Sequence, residues 1–369
     1  MPTIAMIREQ ALGERRVALT PETCKKLIAK NMQIFIEAGA GLSAGFSDED
    51  YIGAQVASSS TEVLAQADVL LCVQAPELKS LEHLKKNAIV IGSLAPHRTE
   101  NLMPVYFARA HSAFALEKLP RTTRAQAMDV LSSQAGMAGY KAVLIAAQLA
   151  PRFFPMLTTA AGTIRPSKVL IIGAGVAGLQ AIATAKRLGA QVEGFDVRPE
   201  TREQIESLGG KFLDLGVSAA GEGGYARALT DEERALQQER LAAHLKSVDV
   251  IVTTAAVPGR PAPKIITETM VHGMRRGSVI VDLAAETGGN CALTVPGENT
   301  DVNGVLVAGP LDLASMGAVH ASEMFARNAF NFLSLMIAEP GQLHIPFDDE
   351  LVAKTCIAHN GINPNQGAQ

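Results

Sequence analysis

"GAGVAGLQA" occupies residues 173–181 and follows the apolar run "KVLII" at 168–172. Gly173, Gly175 and Gly178 make G-x-G-x-x-G at the end of a short β-branched run, and the helical stretch "VAGLQAIATAKRLGA" opens from it. Each glycine has a job: a tight turn, backbone approach to a pyrophosphate, and close packing of helix on strand. The helix start adds free N–H groups and the positive end of its dipole, which favour a phosphate. The pattern alone is common. Here it has a strand before it, a helix after it, and Asp196 closing the next strand "QVEGFD", which is the context that dinucleotide binding requires. Asp196 is expected to accept hydrogen bonds from the adenosine ribose hydroxyls and to repel a 2′-phosphate, so NAD(H) is favoured over NADP(H). The cofactor-binding candidates of this block are Gly173, Ala174, Gly175, Val176, Gly178, Asp196, Val197 and Arg198, with Arg198 expected over the adenine or in solvent. A second glycine cluster, "EAGAGLSAG" at 37–45, reads G-x-G-x-x-x-G, and no acid closes the following strand "DVLLCV". It is read as a turn.

Working outward, "KVLIIG", "QVEGFD", "DVIVTTA", "SVIVDLA" and "VLVAG" alternate with helical patterns through residues 168–309. The same alternation runs through residues 1–117, with "TIAMI", "QIFIEA", "DVLLCV", "AIVIGSL" and "SAFALE" as strands. Strands alternating with helices imply parallel pairing through right-handed crossovers. A long helix is expected from about Met137, and a second from "SMGAVHASEMFARNAFNFLSLMIAE" at 315–339, carrying the chain back to the first half. The fold class is therefore α/β: two doubly wound parallel-sheet, Rossmann-like domains joined by two long helices. The expected boundaries are 1–136 with 316–369, and 137–315 for the nucleotide domain.

Composition narrows the function. The chain has 369 residues, enough for two domains, and a formal net charge of −4, so nothing calls for nucleic acid or an anionic membrane. Cys24, Cys72, Cys291 and Cys356 are scattered and form no CxxC; they read as reduced thiols, with neither a disulfide frame nor a metal site expected. The start "MPTIAMIREQ" lacks a basic region followed by an apolar core, so no signal peptide is expected. "GYKAVLIAAQLAPRFFPML" comes nearest to a membrane span, but Lys141, Gln148, Pro151 and Arg152 interrupt it.

"GERRVALTPE" (13–22), "RAQAMDVLSSQAGMAGYKAV" (124–143), the glycine loop with its helix (173–190) and "GGNCALT" (288–294) resemble the alanine dehydrogenase/NAD(P) transhydrogenase superfamily. Within it the resemblance is to the NAD(H)-binding alpha subunit of the proton-translocating transhydrogenases. It runs from about residue 4 to about 300, whereas "GPLDLASMGAVHASEMF" departs from the usual wording. The resemblance implies NAD(H) bound to this chain and NADP(H) bound to a partner domain. It further implies an integral-membrane subunit, a homodimer, and a cytoplasmic place on the inner face of the membrane through the partner subunits. It assigns catalytic positions to Arg121, Gln126, Asp129 and Ser132, in a polar loop that reaches the nicotinamide end, with Ala127 and Met128 beside them. It places Gly224 and Tyr225 on a mobile loop, "GEGGYARALTDEE" (221–233), and Gln237 and Ala256 along the nucleotide cleft. The plainer reading of two of these is that Asp129 caps the next helix and Arg121 is a surface charge.

The two branches of the superfamily differ in chemistry. The resemblance implies that an amino-acid dehydrogenase uses an arginine, a lysine and a histidine to hold its substrate and move protons. Arg16 matches the arginine, but Gln74 stands at the lysine position and Ser93 at the histidine position; His97 lies four residues too late and reads as exposed. Neither Gln74 nor Ser93 supplies the missing cation or proton. Hydride passing directly between two nicotinamides needs neither. It needs two rings held in reacting geometry with water kept out. The expected activity is hydride transfer from NADH to NADP⁺ on the partner, coupled to proton translocation. The alternatives are a stand-alone NAD-dependent amino-acid dehydrogenase and a non-catalytic NAD-sensing module.

Overall fold

The computed structural model describes residues 1–219, 227–256 and 260–364. The chain forms two units: Met1–Gln134 with Ser315–Gln369, and Ala135–Ala314. Each is built on its own seven-stranded sheet.

The strands of the first unit are β1 (Thr3–Met6), β2 (Gln33–Glu37), β3 (Gln55–Ala57), β4 (Val69–Gln74), β5 (Ile89–Ser93), β6 (Ser112–Ala115) and the returning β16 (Cys356–Ala358). Their order across the sheet is β16-β6-β5-β4-β1-β2-β3. All neighbours are parallel except β16, which joins β6 antiparallel. The five expected strands are present. β3 and β16 are additions to the expected set, because three residues are too few to carry a period of two. Both faces of the sheet are covered. Val69, Leu71 and Val73 enter one apolar cluster and Leu70 and Cys72 the other, which is the near-continuous burial of a doubly wound strand. The helix Ala318–Ser334 covers the first face with Phe325, Ala329, Phe332 and Leu333, a stripe at i, i+4, i+7 and i+8. The glycine cluster at 37–45 forms a turn with a short 3₁₀ segment, Leu42–Ala44.

In the second unit a hairpin of β7 (Leu157–Thr159) and β8 (Gly162–Ile164) precedes β9 (Lys168–Ile172), β10 (Gln191–Phe195), β11 (Lys211–Phe212), β12 (Val250–Thr253), β13 (Val279–Asp282), β14 (Asn299–Val302) and β15 (Val305–Ala308). The sheet order is β11-β10-β9-β12-β13-β15-β14, parallel except for β14 against β15. Val169 and Ile171 face one apolar cluster and Leu170 and Ile172 the other. The order reverses at β9: the chain continues to β10 on one side and returns to β12 on the other. A doubly wound sheet binds its ligand at the carboxyl ends of the strands flanking such a switch point.

The long helix runs Val130–Leu149, starting two turns before the expected Met137. The cause is local. The Asp129 carboxylate accepts from the Ser132 N–H at 3.0 Å, an N-cap that carries the polar residues 132–134 into the first turn. All four cysteines are buried, and none is in a disulfide.

Phe332 is fully buried and meets Phe114 of β6 with ring centroids 5.7 Å apart. Phe332→Ala should cost about 3–5 kcal/mol, read as a lower denaturant midpoint for the first unit.

Candidate nucleotide-binding site

At the carboxyl end of β9 the chain turns through Gly173, whose φ of 95° lies in the region that favours glycine. A Cβ there would lie 2.6 Å from the Thr254 hydroxyl. That hydroxyl donates to the Gly173 carbonyl at 3.0 Å, tying the turn to the end of β12. A Cβ on Gly178 would lie 1.8 Å from the Gly173 carbonyl oxygen, and one on Gly139, in the long helix, 2.0 Å from that of Ala177. The helix Val176–Arg187 is thus pressed against its own entering turn on one side and against the long helix on the other. Gly175 is different. It has an ordinary φ of −77° as the N-cap, and an added Cβ would meet nothing within 4 Å. The loop is therefore open at the point where a pyrophosphate would approach the backbone. The helix starting there has 12 residues and no side-chain cap, so its first N–H groups point outward. Val176 is exposed beside them, whereas Ala174 is buried under the loop.

Asp196 closes β10 and reaches across to the glycine loop. Its Oδ2 accepts from the Ala174 N–H at 2.7 Å. Arg198 takes the rest: its backbone N–H and Nε donate to Oδ1, each at 2.9 Å, and an Nη donates to Oδ2 at 2.7 Å. The guanidinium expected over adenine or in solvent is thus paired with Asp196, with its side chain only 18% exposed. Burial works against the carboxylate's charge, but Arg198 and the two backbone N–H groups outweigh it and hold the carboxyl below its ordinary range. Val197 is half-buried, and its carbonyl accepts from the Ala219 N–H.

The rim beyond β12 is held by a residue to which the sequence alone assigns no role. Asn290 is fully buried. Its Oδ1 accepts from the Ala255 N–H at 3.0 Å, and its Nδ2 donates to the carbonyls of Ala255 at 2.7 Å and Pro263 at 2.9 Å. Ala255 is thereby fixed, with Ala256 exposed next to it. The neighbouring Asp282, also fully buried, receives the Thr253 and Thr294 hydroxyls and the Ala284 and Cys291 N–H groups. The available signal was the asparagine and paired glycines of "GGNC": Gly288 and Gly289 have φ of 102° and 80°. Gln237 is buried on the helix Asp231–Leu245. Gly224 and Tyr225 lie outside the described residues.

In the first unit, the stretch carrying Arg121, Gln126, Asp129 and Ser132 includes a 3₁₀ segment, Thr123–Met128. Residues at i and i+3 eclipse in such a segment: Ala125 and Met128 are buried, while Arg121, Gln126 and Ala127 are exposed. Asp129 and Ser132 are joined. Besides the cap, the Ser132 hydroxyl donates to Asp129 Oδ2 at 2.5 Å. Arg16 is held by Glu14 and Gln134. Its Nε and one Nη donate to the Glu14 carboxylate at 2.7 and 2.6 Å, and the other Nη to Gln134 Oε1 at 2.9 Å. The Gln74 amide donates to the same Glu14 at 2.7 Å. Burial disfavours the Glu14 charge, but these bonds prevail and its carboxyl lies below the usual range. Ser93 is half-buried opposite Gln74 in the sheet, and His97 is exposed.

A glycine turn at a switch point, an uncapped helix start and an acid at the next strand end define a dinucleotide-binding α/β protein. Similarity to known proteins places it further. Residues 5–138 match the family described as alanine dehydrogenase/PNT, N-terminal domain, and residues 142–365 match alanine dehydrogenase/PNT, C-terminal domain. The chain belongs to this family. It is 43% identical to an NAD(P) transhydrogenase subunit alpha chain of Rhodospirillum rubrum, over 97% of this chain and 96% of the relative. The crystal structure of transhydrogenase from Sinorhizobium meliloti is 41% identical and superposes with a TM-score of 0.89, covering 98% of this chain and 99% of that one. An L-alanine dehydrogenase structure shares the fold, with a TM-score of 0.80 at 24% identity over 98% and 96% of the two chains.

The two helix-start glycines should respond differently to a methyl group. Gly175→Ala should leave the melting temperature near that of the parent, since the Cβ enters open space, yet weaken NADH binding roughly 10-fold or more by obstructing the phosphates. Gly178→Ala must displace backbone and should lower both melting temperature and binding. Denaturation and calorimetry on the pair check this.

Proposed function

We propose that this chain is the NAD(H)-binding subunit of a proton-translocating NAD(P) transhydrogenase, passing hydride from NADH to NADP⁺ held by a separate NADP(H)-binding partner. The family membership and the 43% identity support the transhydrogenase branch. One observation carries the choice between branches. Arg16, the cation that matches the dehydrogenase substrate arginine, has its Nε and both Nη groups committed to Glu14 and Gln134, and Gln74 leans on the same carboxylate. These groups are engaged with one another, with no lysine or histidine among them to meet a substrate carboxylate or give a proton, while the glycine loop is open for a dinucleotide.

When bound, the nicotinamide cofactor supplies the hydride. The protein's share is placement. The N–H groups after Gly175 hold the pyrophosphate, and Asp196 takes the adenosine ribose, for which its pair with Arg198 must loosen or share. Gln237 and Ala256 line the cleft, and Gly224 and Tyr225 add to the cofactor's contacts. Arg121, Gln126, Asp129 and Ser132 orient the nicotinamide end. Direct transfer between rings asks of these groups orientation and exclusion of water, with no acid–base step.

The reading includes a membrane subunit, with this chain docked through its partners on the inner face of the cytoplasmic membrane. Among the described residues no helix is long and apolar enough to cross a bilayer. It also includes a homodimer, for which the hairpin β7–β8 offers contact surface: all six strand residues are exposed, and Met156 just before it is 64% exposed.

Two outcomes test the reading. Mixed with a purified NADP(H)-binding partner subunit and NADP⁺, the chain should oxidise NADH; given alanine with NAD⁺, or pyruvate with ammonia and NADH, it should turn over neither. Robust alanine turnover would transfer the protein to the dehydrogenase branch. For the cofactor, NADH should bind far better than NADPH. Asp196→Ala should weaken NADH about 10- to 100-fold, the equivalent of a charged hydrogen bond of ~1.5–3 kcal/mol, and narrow the preference; equal binding of the two cofactors by the parent would refute it.

A further inference from the structure

The returning helix Ala318–Ser334 presents a mostly apolar face to the first unit, with Phe325, Ala329 and Phe332 in the core. Asn328 sits in that face, 7% exposed. A buried amide is costly unless it is bonded, and this one is bonded at both ends. Its Oδ1 accepts from the Ser133 hydroxyl at 2.7 Å, and its Nδ2 donates to the Ala127 carbonyl at 2.9 Å. One turn later, Asn331 donates to the same carbonyl, also at 2.9 Å.

A carbonyl oxygen has two lone pairs, so the two amides saturate it. Two donors arriving from one rigid helix fix the direction of the carbonyl. Because the peptide is planar, they fix the Ala127–Met128 peptide as a whole. Gln126 is the residue before it. Its side-chain amide makes no hydrogen bond among the described residues, so its backbone anchor is what limits where that amide can reach. The flanks of the segment are anchored as well: Ala125 and Met128 are buried, and Arg124 pairs with both carboxylate oxygens of Asp349. The outward corner at Gln126 and Ala127 is held by the two asparagines. Leucine at 328 would fill the core without this effect; it could not orient the peptide.

We propose that Asn328 and Asn331 are positioning residues for hydride transfer, acting through the Ala127 carbonyl to hold Gln126 in reacting geometry. The placement of Gln126 at the nicotinamide rests on the function proposed above. The asparagines touch no substrate, and their effect is on alignment, where misplacement by ~1 Å costs on the order of 10²-fold in rate.

The test uses the full chain, its purified NADP(H)-binding partner subunit, and three variants: Asn328→Ala/Asn331→Ala, Asn331→Ala alone, and Asn328→Asp. The last keeps the acceptor for Ser133 but loses the donor toward Ala127. Hydrogen–deuterium exchange of residues 121–129 is followed in the chain alone, NADH affinity by calorimetry, and hydride transfer to partner-bound NADP⁺ in single turnover. The double variant should show faster exchange confined to 121–129, NADH affinity within about 2-fold of the parent, and transfer slowed roughly 10-fold or more. Asn328→Asp should show the same split when compared at equal folded fraction, since a carboxyl facing the Ala127 carbonyl in this buried face lowers the melting temperature. Unchanged exchange in 121–129 overturns the proposal. So does a transfer rate that falls only in step with NADH affinity or folded fraction, which marks ordinary core packing. A parent chain that transfers no hydride, with exchange still faster in the double variant, locates the failure in the function reading and removes the catalytic part of this inference with it.

Discussion

Contact between the start of one helix and the turn that feeds it governs the second unit. A Cβ at residue 178 would fall 1.8 Å from the Gly173 carbonyl oxygen, so the helix reaches its position only because nothing projects there. That approach aims the first N–H groups of Val176–Arg187 at the edge of the sheet beside Gly175. The surroundings maintain it. Thr254 ties the Gly173 carbonyl to β12, Asp196 ties the Ala174 N–H to β10, and Gly139 lets the long helix press from behind. The open side of the loop is what remains once every other direction is filled. The phosphate site proposed there would rest on backbone placement, with no charged side chain required.

The first unit shows the same sheet put to a different use. Its switch point lies between β1 and β4, and there the crevice is crossed by the protein's own groups. The Glu9 carboxylate accepts from the Val73 and Gln74 N–H groups, and Glu14 gathers Arg16 and Gln74. Burial pushes the Glu9 carboxyl up to about 8, against the pull of those two N–H groups. Polar groups that meet one another at these distances are satisfied internally and have little left to give a ligand. Two units that share the order of their first five strands thus differ because one leaves its backbone donors outward and the other turns its polar groups on itself.

Much of this was legible in the sequence where the signal is periodic or conformational. Ten strands, five in each unit, stand out as short apolar runs, and the glycine loop is identified by spacing plus Asp196. What was hidden has physical causes. β3 and β16 are too short for a pattern. The start at Val130 was masked because Ser132, Ser133 and Gln134 look like loop until Asp129 is recognised as their cap. The Asp196–Arg198 pair depends on a side-chain rotamer, which residue order does not encode. Asn290 and Asn328 act by pinning backbone far away in sequence, and an asparagine with such a role reads like any other until the fold brings its partners near.

The four buried thiols carry a practical consequence. Burial raises the thiol of Cys24 to about 11 and that of Cys356 to about 12, and those of Cys72 and Cys291 rise as well. Native thiolate is therefore scarce and shielded from reagents. Cys24, Cys72 and Cys356 belong to one unit and Cys291 to the other. An alkylating reagent applied to the folded chain becomes a clock for local opening, and mass mapping of the modified cysteine reports which unit opened first. The chain carries its own breathing sensors, at least one in each unit, with no engineered label.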